Sequence, residues 1–375
     1  MKKIKILQAT IGNGKDGVTK YICQNYIFID KNKFDFDFIT YDEELDFRTD
    51  FEKMGANFYK KPSTFNVIKY IRFMKNIQKK NQYDIIHFNL SYANPIPILI
   101  AKFIGIKRII IHAHSTQVDE KNIVLRIVKN IIHLFGKWIL GKLGTDFLSC
   151  SELAARWMFP KTIISEKKYM IIYNAIDFKK YIFDDNIRRK KREELNLEEK
   201  CFCIGHVGRF NYQKNHLFLI KIFKIINQLN KNTKLLLVGT GSMVDKVKKK
   251  VIELGLSDSV IFLGSRNDVN NLYSAMDCLI LPSRFEGLGI VLIEAQAAGL
   301  YCYVSDVIPK EVEITNLVKF ISLNESPLTW ANEVNKNKRV LQRNNVINEL
   351  RNSRYDINNE IKILENIYLD GNRDG

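Results

Sequence analysis

Short, uninterrupted apolar segments rich in β-branched and aromatic residues alternate with segments of helical length along this chain. Most of these apolar segments are too continuous for a sheet with one wet face, so they predict buried parallel strands joined by crossover helices. This alternation is typical of an α/β fold with doubly wound sheets. In the N-terminal half, the predicted strands cover residues 4–11, 34–40, 84–90, 108–114, 146–151 and 170–176.

The alternation restarts after a very polar segment at residues 184–200, which predicts a charged helix near a domain junction. Two strand series of similar size in 375 residues predict two domains. We expect a first domain at residues 1–180, a second at 181–352, and a C-terminal helix with a frayed tail at 353–375 that packs back toward the first domain. The later strands are predicted at 201–208, 234–239, 259–264, 278–282 and 300–305.

The first predicted strand runs into a glycine-rich loop in which Gly12, Gly14 and Gly17 spell G-x-G-x-x-G. Asp42 closes the next strand, where a dinucleotide-binding fold holds a ribose, so this loop taken alone favours an NAD-dependent oxidoreductase. The pattern is short, however, and a glycine turn before a helix suits any phosphate or polyol. The loop leaves both interpretations open.

Two other patterns resemble metal sites. Asp35 and Asp37 spell D-x-D but alternate with phenylalanines, so we interpret them as the wetter face of a half-buried strand. His112 and His114 share one strand face without a third ligand nearby. We therefore expect no metal site, and a functional role for His114 needs support from elsewhere.

Two cations stand between a predicted strand and the helix after it. Arg209 and Lys214 follow the strand at 201–208, and free helix N–H groups beside them would suit a diphosphate. A salt-bridged surface loop is the alternative that this segment alone leaves open.

The segment PSRFEGLGIVLIEAQAAGL places Glu286 before Gly287, Leu288 and Gly289, and a helix then carries Glu294. Eight residues of helix would rise about 12 Å, roughly the length of a sugar–diphosphate–ribose ligand. A carboxylate at each end could then accept hydrogen bonds from sugar and ribose hydroxyls, while the glycines let backbone amides approach the phosphates. Glu294 could instead pair within the protein.

The E-x7-E spacing of Glu286 and Glu294 resembles the signature of glycosyltransferase family 4. The segments GHVGRF-x3-KNH, LLLVGTGSM, VIFLGSRNDV, IIHAHS and IIYNAID extend the resemblance over nearly the whole chain, which is most like bacterial capsular and exopolysaccharide transferases. The resemblance implies a GT-B fold, with two Rossmann-like doubly wound domains facing a central cleft. It also implies a retaining transfer of a hexosyl or N-acetylhexosaminyl group from a UDP-sugar to a lipid-linked oligosaccharide.

The same resemblance assigns roles on the donor side. Arg209 and Lys214 would neutralise the departing diphosphate, and no metal cofactor is expected because fixed cations and a helix N-terminus can stabilise that charge. Glu294 would hold the ribose, and Glu286 would contact the transferred sugar. The remaining donor positions are the amides of Gly287, Leu288 and Gly289 and the base-side segment Gly264, Ser265 and Arg266. On the acceptor side, His114 would lie near the anomeric carbon, and the loop with Gly12, Gly14 and Gly17 near the diphosphate and acceptor.

The formal net charge of +17 indicates an anionic partner. Nucleic acid is an alternative that rests on charge alone, since no nucleic-acid-binding motif accompanies it. In the segment 121–143, Arg126, Lys129, His133 and Lys137 fall on one helical face without any acidic residue. This helix could lie on the anionic inner membrane leaflet, or it could pack its apolar face on the sheet.

The expected location is the cytoplasm, with peripheral membrane contact left open. The six cysteines show no zinc-like spacing, and no apolar segment approaches the length of about 20 residues that spans a bilayer.

Overall fold

The computed structural model describes residues 2–13, 17–64, 66–118, 120, 122–336, 343 and 346–370. The chain divides into two compact units, one formed by residues 1–175 with 357–375 and the other by residues 176–356. The structure therefore changes unit at 175 and 356, where the sequence predicts 180 and 352. Each unit contains its own parallel sheet, and each is described by itself below.

The first unit contains a seven-stranded sheet within the described residues, and every strand pair is parallel. The strand order is β3-β2-β1-β4-β5-β6-β7, so it reverses between β1 and β4. Doubly wound sheets bind ligands outside the carboxyl ends of their strands at such a reversal. The strands are β1 (Ile4–Ile11), β2 (Phe34–Thr40), β3 (Phe58–Lys60), β4 (Ile85–Leu90), β5 (Arg108–Ala113), β6 (Asp146–Ser149) and β7 (Met170–Ile171).

Several helices of this unit begin at a polar side chain that caps their first turn. Asn66, Asn94, Asn122 and Ser151 each accept a hydrogen bond from a backbone N–H two or three residues further on. The helices are α1 (Gly17–Phe28), α2 (Arg48–Lys53), α3 (Val67–Asn81), α4 (Pro95–Phe103), α5 (Ile123–Leu143), α6 (Glu152–Met158) and α7 (Lys161–Ser165).

The D-x-D pair on β2 corrects one expectation. Asp35 is exposed and pairs with Lys3, but Asp37 is buried rather than on a wet face. Its carboxylate accepts hydrogen bonds from the backbone and side chain of Asn57 and from the hydroxyl of Tyr83. A buried carboxylate is tolerated when several donors satisfy it, which is the case here.

Helix α5 also differs from the sequence expectation. His133 does not belong to a cationic face, because it is buried and burial lowers its pKa to about 4. Its ring stacks on Trp157, and its two nitrogens contact the backbone of Ala93 and Trp157. The alternative that α5 packs its apolar face on the sheet is wrong as well, since Leu140 is buried but the side chains of Ile127, Ile131, Leu134, Phe135 and Trp138 are exposed.

The second unit contains a six-stranded parallel sheet within the described residues, in the order β10-β9-β8-β11-β12-β13. This order reverses between β8 and β11, as in dinucleotide-binding folds. The strands are β8 (Phe202–Val207), β9 (Thr233–Val238), β10 (Val260–Gly264), β11 (Cys278–Leu281), β12 (Tyr301–Ser305) and β13 (Val318–Ile321). The helices are α8 (Asp185–Glu194), α9 (His216–Leu229), α10 (Val244–Glu253), α11 (Val269–Ala275), α12 (Ile290–Ala297), α13 (Pro327–Lys336) and α14 (Ile347–Arg351).

The predicted strands are confirmed in both sheets, with ends that differ by a few residues, whereas the edge strands β3 and β13 were not predicted. The polar segment before the second sheet forms α8, as expected. No helix among the described residues is both long and apolar enough to cross a bilayer.

The chain then returns to the first unit as α15 (Ile357–Asp370). Leu364 and Tyr368 of this helix belong to the same buried cluster as Ile6 and Phe34 of the first two strands. Arg108 donates a hydrogen bond to the carbonyl of Tyr368 over 3.0 Å. The core of the first unit is therefore completed by a helix from the far end of the chain. The predicted tail after this helix, at 371–375, lies outside the described residues.

Candidate active site

In the second unit, the turn after β8 meets the loop after β11 at the reversal of strand order. The backbone N–H of Arg284 donates to the carbonyl of Gln213 over 2.8 Å, and the Arg284 guanidinium donates to the carbonyl of Tyr212 over 2.7 Å. The guanidinium also lies over the Tyr212 ring, 4.3 Å from its centroid. These contacts fix the two segments that carry the predicted diphosphate and sugar residues.

An ion pair joins Lys214 and Glu286 across these segments. Lys214 Nζ lies 2.6 Å from Glu286 Oε1, and the two side chains are only 12% and 6% exposed. Gln213 Nε2 donates to the other carboxylate oxygen over 3.0 Å. Both oxygens of Glu286 are therefore held by the turn after β8, as a sheltered carboxylate requires.

Arg209 differs from Lys214 although both follow β8. Its side chain is exposed and makes no hydrogen bond or ion pair with the described residues. The salt-bridged loop that the sequence left open thus applies to Lys214 and not to Arg209. A planar guanidinium in this position can donate two parallel hydrogen bonds to a phosphate.

The carboxyl ends of β8, β9 and β10 lie backbone against backbone. Gly239 has a φ of +135°, and a Cβ atom there would stand 2.1 Å from the carbonyl oxygen of Gly208. Its N–H donates to the carbonyl of Gly264 over 2.7 Å. Only glycine fits this approach, and it places the predicted base-side segment beside the strand ends that carry the cations.

Arg266 of that segment is engaged in ion pairs. Its guanidinium lies 2.7 Å from Asp268 and 2.8 Å from Glu194, and Lys191 lies 2.6 Å from the same Asp268. The hydrogen bond from Arg266 holds the pKa of Asp268 well below its usual range. The Arg266 side chain thus ties the loop to α8, which leaves the backbone of Gly264 and Ser265 as the part that could face a base.

Glu294 lies on α12 and is 2% exposed. One carboxylate oxygen accepts from the Tyr273 hydroxyl over 2.7 Å, and the other accepts from the Tyr181 hydroxyl over 3.1 Å. Burial, followed by the Glu294 charge, raises the pKa of both tyrosines. The internal pairing that the sequence left open is therefore present. Each carboxylate oxygen still has a second lone pair for another donor.

The helix predicted to carry Glu294 after the two glycines is confirmed as α12. It begins at Ile290, and Gly289 before it has a φ of +89°, a conformation that favours glycine. Gly287 and Leu288 are buried and lie in the loop before the helix. The estimate of about 12 Å for eight helical residues therefore does not apply, although the loop does lead into a helix N-terminus.

In the first unit, His114 follows β5 and is 8% exposed. Its Nε2 lies 2.9 Å from Asn89 Oδ1, and its ring centroid lies 4.1 Å from that of His112. Nδ1 of His112 in turn lies 3.3 Å from Nε2 of His87. The two histidines that the sequence singled out are thus part of a buried cluster rather than a metal site. Within the described residues, no group of three His, Cys, Asp or Glu side chains could hold a metal ion.

A chain of side-chain hydrogen bonds orients His114. Asn89 Nδ2 donates to Gln8 over 3.0 Å, Gln8 Nε2 donates to the Tyr368 hydroxyl over 3.2 Å, and that hydroxyl lies 2.7 Å from Nδ1 of His87. Because the amide of Asn89 presents its oxygen to His114, Nε2 of this histidine carries the hydrogen. Its Nδ1 then bears the lone pair and has no hydrogen-bond partner among the described residues. Burial lowers the pKa of His114 to about 3, so the ring is neutral near pH 7.

Asn89, Gln8 and Tyr368 were not predicted from the sequence as site residues. Asn89 and Gln8 lie on adjacent strands near the sheet reversal, which is a signal that the strand assignments contain. No comparable sequence pattern pointed to Tyr368.

The glycine loop lies at the carboxyl end of β1, beside that reversal. The Gly12 N–H donates to the Thr19 hydroxyl over 3.0 Å, and Gly17 begins α1. Gly14 lies outside the described residues.

Residues 16–180 match the family model described as Glycosyltransferase Family 4, and residues 187–341 match the model described as Glycosyl transferases group 1. The chain belongs to the family 4 glycosyltransferases. The family prediction is thus confirmed. The chain is a glycosyltransferase, and the alternative predictions of an NAD-dependent oxidoreductase and a nucleic-acid-binding protein are not supported.

Among curated relatives, the enzyme is 25% identical to an Escherichia coli protein over 81% of this chain and 80% of the relative. That protein is the UDP-Gal:alpha-D-GlcNAc-diphosphoundecaprenol alpha-1,3-galactosyltransferase. The present chain is 26% identical to the capsular polysaccharide biosynthesis glycosyltransferase CapH of Staphylococcus aureus, over 80% of each chain. Anabaena Alr3699/HepE, crystallised with UDP and glucose, shares the fold at a TM-score of 0.79 and 17% identity, over 97% of this chain and 99% of that one. The predicted GT-B fold class is confirmed.

Proposed function

We propose that this glycosyltransferase transfers a hexosyl or N-acetylhexosaminyl group from a UDP-sugar to a lipid-linked oligosaccharide in bacterial capsular or exopolysaccharide synthesis, with retention of configuration. The E. coli relative supports this by its named donor and acceptor, and CapH by its named pathway. Within this structure, the observation that carries the donor half is the Lys214–Glu286 pair at the reversal of the second sheet.

On the donor side, charge accumulates on the departing diphosphate. The exposed Arg209 guanidinium and the Lys214 ammonium stabilise it, together with the N-terminus of α12. Lys214 can keep its contact with Glu286 while it donates to phosphate, because an ammonium carries three N–H groups. Because these fixed positive charges stabilise the departing diphosphate, the proposed mechanism includes no metal ion.

Glu286 accepts hydrogen bonds from the transferred sugar, beside the amides of Gly287, Leu288 and Gly289. Glu294 accepts from the ribose with the lone pairs that Tyr181 and Tyr273 leave unused. These two tyrosines hold the carboxylate in one orientation and so lower the entropy cost of binding. The backbone of Gly264 and Ser265 faces the base.

On the acceptor side, we assign His114 and the glycine loop with Gly12, Gly14 and Gly17. Burial keeps the imidazole of His114 neutral near pH 7, so it would lie beside the acceptor as an uncharged ring and add no positive charge there. The proposal places the enzyme on the cytoplasmic side, in peripheral contact with the inner leaflet where a lipid-linked acceptor resides.

The decisive experiment is calorimetric titration with UDP, GDP and NAD in metal-free buffer, repeated with Glu294→Ala. We expect micromolar UDP binding that weakens in the variant. Binding of NAD alone, unaffected by Glu294→Ala, would reject the proposal. In a transfer assay with UDP-sugars, Glu286→Ala and Lys214→Ala should be inactive, and full activity in both would show that the donor site is elsewhere.

A further inference from the structure

Helix α5 directs its apolar face away from the protein. Ile127, Ile131, Leu134, Phe135 and Trp138 fall within an arc of about 100° on a helical wheel. Their side chains are between 49% and 72% exposed. In a helix of a soluble domain such a stripe ordinarily faces the core.

The side of α5 that contacts the protein is built for close approach instead. A Cβ atom at Gly136 would stand 1.9 Å from the carbonyl oxygen of Ala93. Buried His133 lies one turn before Gly136 on this side of the helix, and buried Leu140 one turn after it. Since small and polar residues hold the helix in place, the outward direction of its apolar stripe is fixed by packing.

The neighbouring helix α4, which packs against α5, also carries exposed apolar side chains, since Leu99 and Phe103 are 45% and 66% exposed. The five exposed apolar residues of the α5 stripe form one surface, here called the α5 surface. Single exposed apolar residues need no explanation, but a contiguous group of this size marks an interaction site.

The charges of α5 are of one sign. Residues 123–143 contain Arg126, Lys129, Lys137 and Lys142 and no acidic residue. Lys142 lies on the apolar side itself, with its ammonium 3.8 Å from the centroid of the Trp138 ring. Apolar and aromatic side chains bordered by lysine and arginine are characteristic of helices that lie in a membrane interface.

We propose that the α5 surface inserts into the interface of an anionic lipid bilayer, with α5 parallel to the membrane plane. The apolar stripe enters the boundary between headgroups and acyl chains, while the ammonium of Lys142 remains at the level of the phosphates. Lys129 lies on the opposite side of the helix and pairs with Glu120. The orientation of the helix follows from its packing, and the identification of this bilayer with the one that holds the acceptor rests on the proposed function.

A second copy of the chain fits this surface less well. A symmetric dimer through this surface would bring the basic residues of two α5 helices together, in a protein that already carries a net charge of +17. Lys129 is paired with Glu120, but α5 itself contains no acidic residue to compensate this repulsion. An anionic lipid surface supplies the opposite charge directly.

The experiment is co-sedimentation of the full chain with vesicles of phosphatidylcholine containing one third phosphatidylglycerol, compared with pure phosphatidylcholine. We expect strong binding to the anionic vesicles, with a blue shift of the Trp138 emission, and at least tenfold weaker binding to the neutral ones. Phe135→Ser combined with Trp138→Ser should weaken binding to anionic vesicles at least tenfold.

A matched control replaces two equally exposed apolar residues of the second unit, Leu229→Ser with Ile252→Ser. This variant should bind vesicles like the unaltered protein. The substituted side chains are exposed in both variants, so unfolding is not the expected cause of any difference, and circular dichroism checks this.

Two results would overturn the proposal. One is the absence of binding to anionic vesicles; the other is a dimer in sedimentation velocity that Leu134→Ser dissociates, which would assign the surface to a second copy. Neither outcome bears on the donor site, because vesicle binding needs neither donor nor acceptor. Conversely, UDP affinity should be unchanged by Phe135→Ser with Trp138→Ser.

Discussion

The ammonium group of Lys214 lies 2.6 Å from a carboxylate oxygen of Glu286, although 72 residues separate them in the chain. One follows β8 and the other follows β11, so the pair spans the reversal of strand order in the second sheet. Both side chains are nearly buried, and in such a place each charge depends on the other for its compensation.

Removing one partner of this pair should therefore cost more than removing both. Lys214→Met or Glu286→Gln is expected to lower the free energy of unfolding of the second unit by about 3 kcal/mol, and the double variant by less than either. Urea denaturation followed by the fluorescence of Trp330, which is buried in that unit, measures this. Additive effects would show that the two charges are not coupled.

Arg209 should affect catalysis without affecting stability. Its guanidinium is exposed and has no partner among the described residues, so Arg209→Gln should change the free energy of unfolding by less than about 0.5 kcal/mol. Transfer should fall at least about 100-fold, as when one donor to a developing anion is removed. Arg284→Gln serves as comparison and should be destabilising, since Arg284 holds the Tyr212 carbonyl. Normal transfer by Arg209→Gln would exclude this residue from the site.

The hydroxyls of Tyr273 and Tyr181 should matter unequally. Tyr273→Phe removes a buried hydrogen bond to Glu294 and should cost about 1–3 kcal/mol of stability. Tyr181→Phe should cost less, because the bond from this partly buried hydroxyl can be replaced by water. UDP affinity, measured by calorimetry, should fall in both variants as Glu294 loses its fixed orientation. A Tyr273→Phe variant with unaltered stability and affinity would refute this role.

Acid should destabilise the protein well before its carboxylates titrate. All six histidines of the chain are buried. In each, burial is the main cause that lowers the pKa: to about 3 for His87 and His114, to about 4 for His133 and His206, to about 2 for His216, and well below the usual value for His112. The unfolded chain binds protons near pH 6.5 and the folded chain does not, so stability is complete above that pH and declines as the pH falls toward the folded values.

Each histidine should remove about 0.8 kcal/mol at pH 6 and about 1.4 kcal/mol at pH 5.5. Urea unfolding at pH 8, 6 and 5.5 measures the sum. His216→Phe provides a control, because neither ring nitrogen of His216 has a hydrogen-bond partner among the described residues and the ring stacks on Phe210. This variant should lose about one sixth of the pH dependence. Equal stability at pH 8 and 5.5 would contradict the burial of the histidines.

Tyr368→Phe should lower the rate of sugar transfer without changing the affinity for UDP. The hydroxyl serves both Gln8 and His87, so its loss leaves two buried polar groups unsatisfied and should cost about 1–3 kcal/mol in the first unit. Transfer should fall because Asn89 and His114 lose their orientation, whereas UDP affinity should remain, since Lys214 and Glu294 lie in the second unit. A parallel loss of UDP affinity would contradict this expectation.

The strands and the two doubly wound sheets could be predicted because apolar continuity and its alternation with helical segments are local properties of the sequence, whereas the GT-B fold was implied by the resemblance to family 4. The contacts that complete the candidate site are not local. Tyr368 reaches His87 across 281 residues, and Tyr181 reaches Glu294 across 113. Amphipathic spacing likewise identifies the apolar side of α5 but not the direction it faces, which depends on how closely Gly136 approaches Ala93.

The position of α15 also governs the order in which the protein can assemble during synthesis. Residues 357–370 leave the ribosome only after all the strands of the second unit. The second unit therefore has its complete sheet and helices while the first unit still lacks α15. Until α15 arrives, Phe34 and Phe36 lack the ring of Tyr368 and Gln8 lacks its hydroxyl acceptor. The nascent first unit therefore exposes apolar surface while the second unit is synthesised, and this interval is when chaperones would engage it.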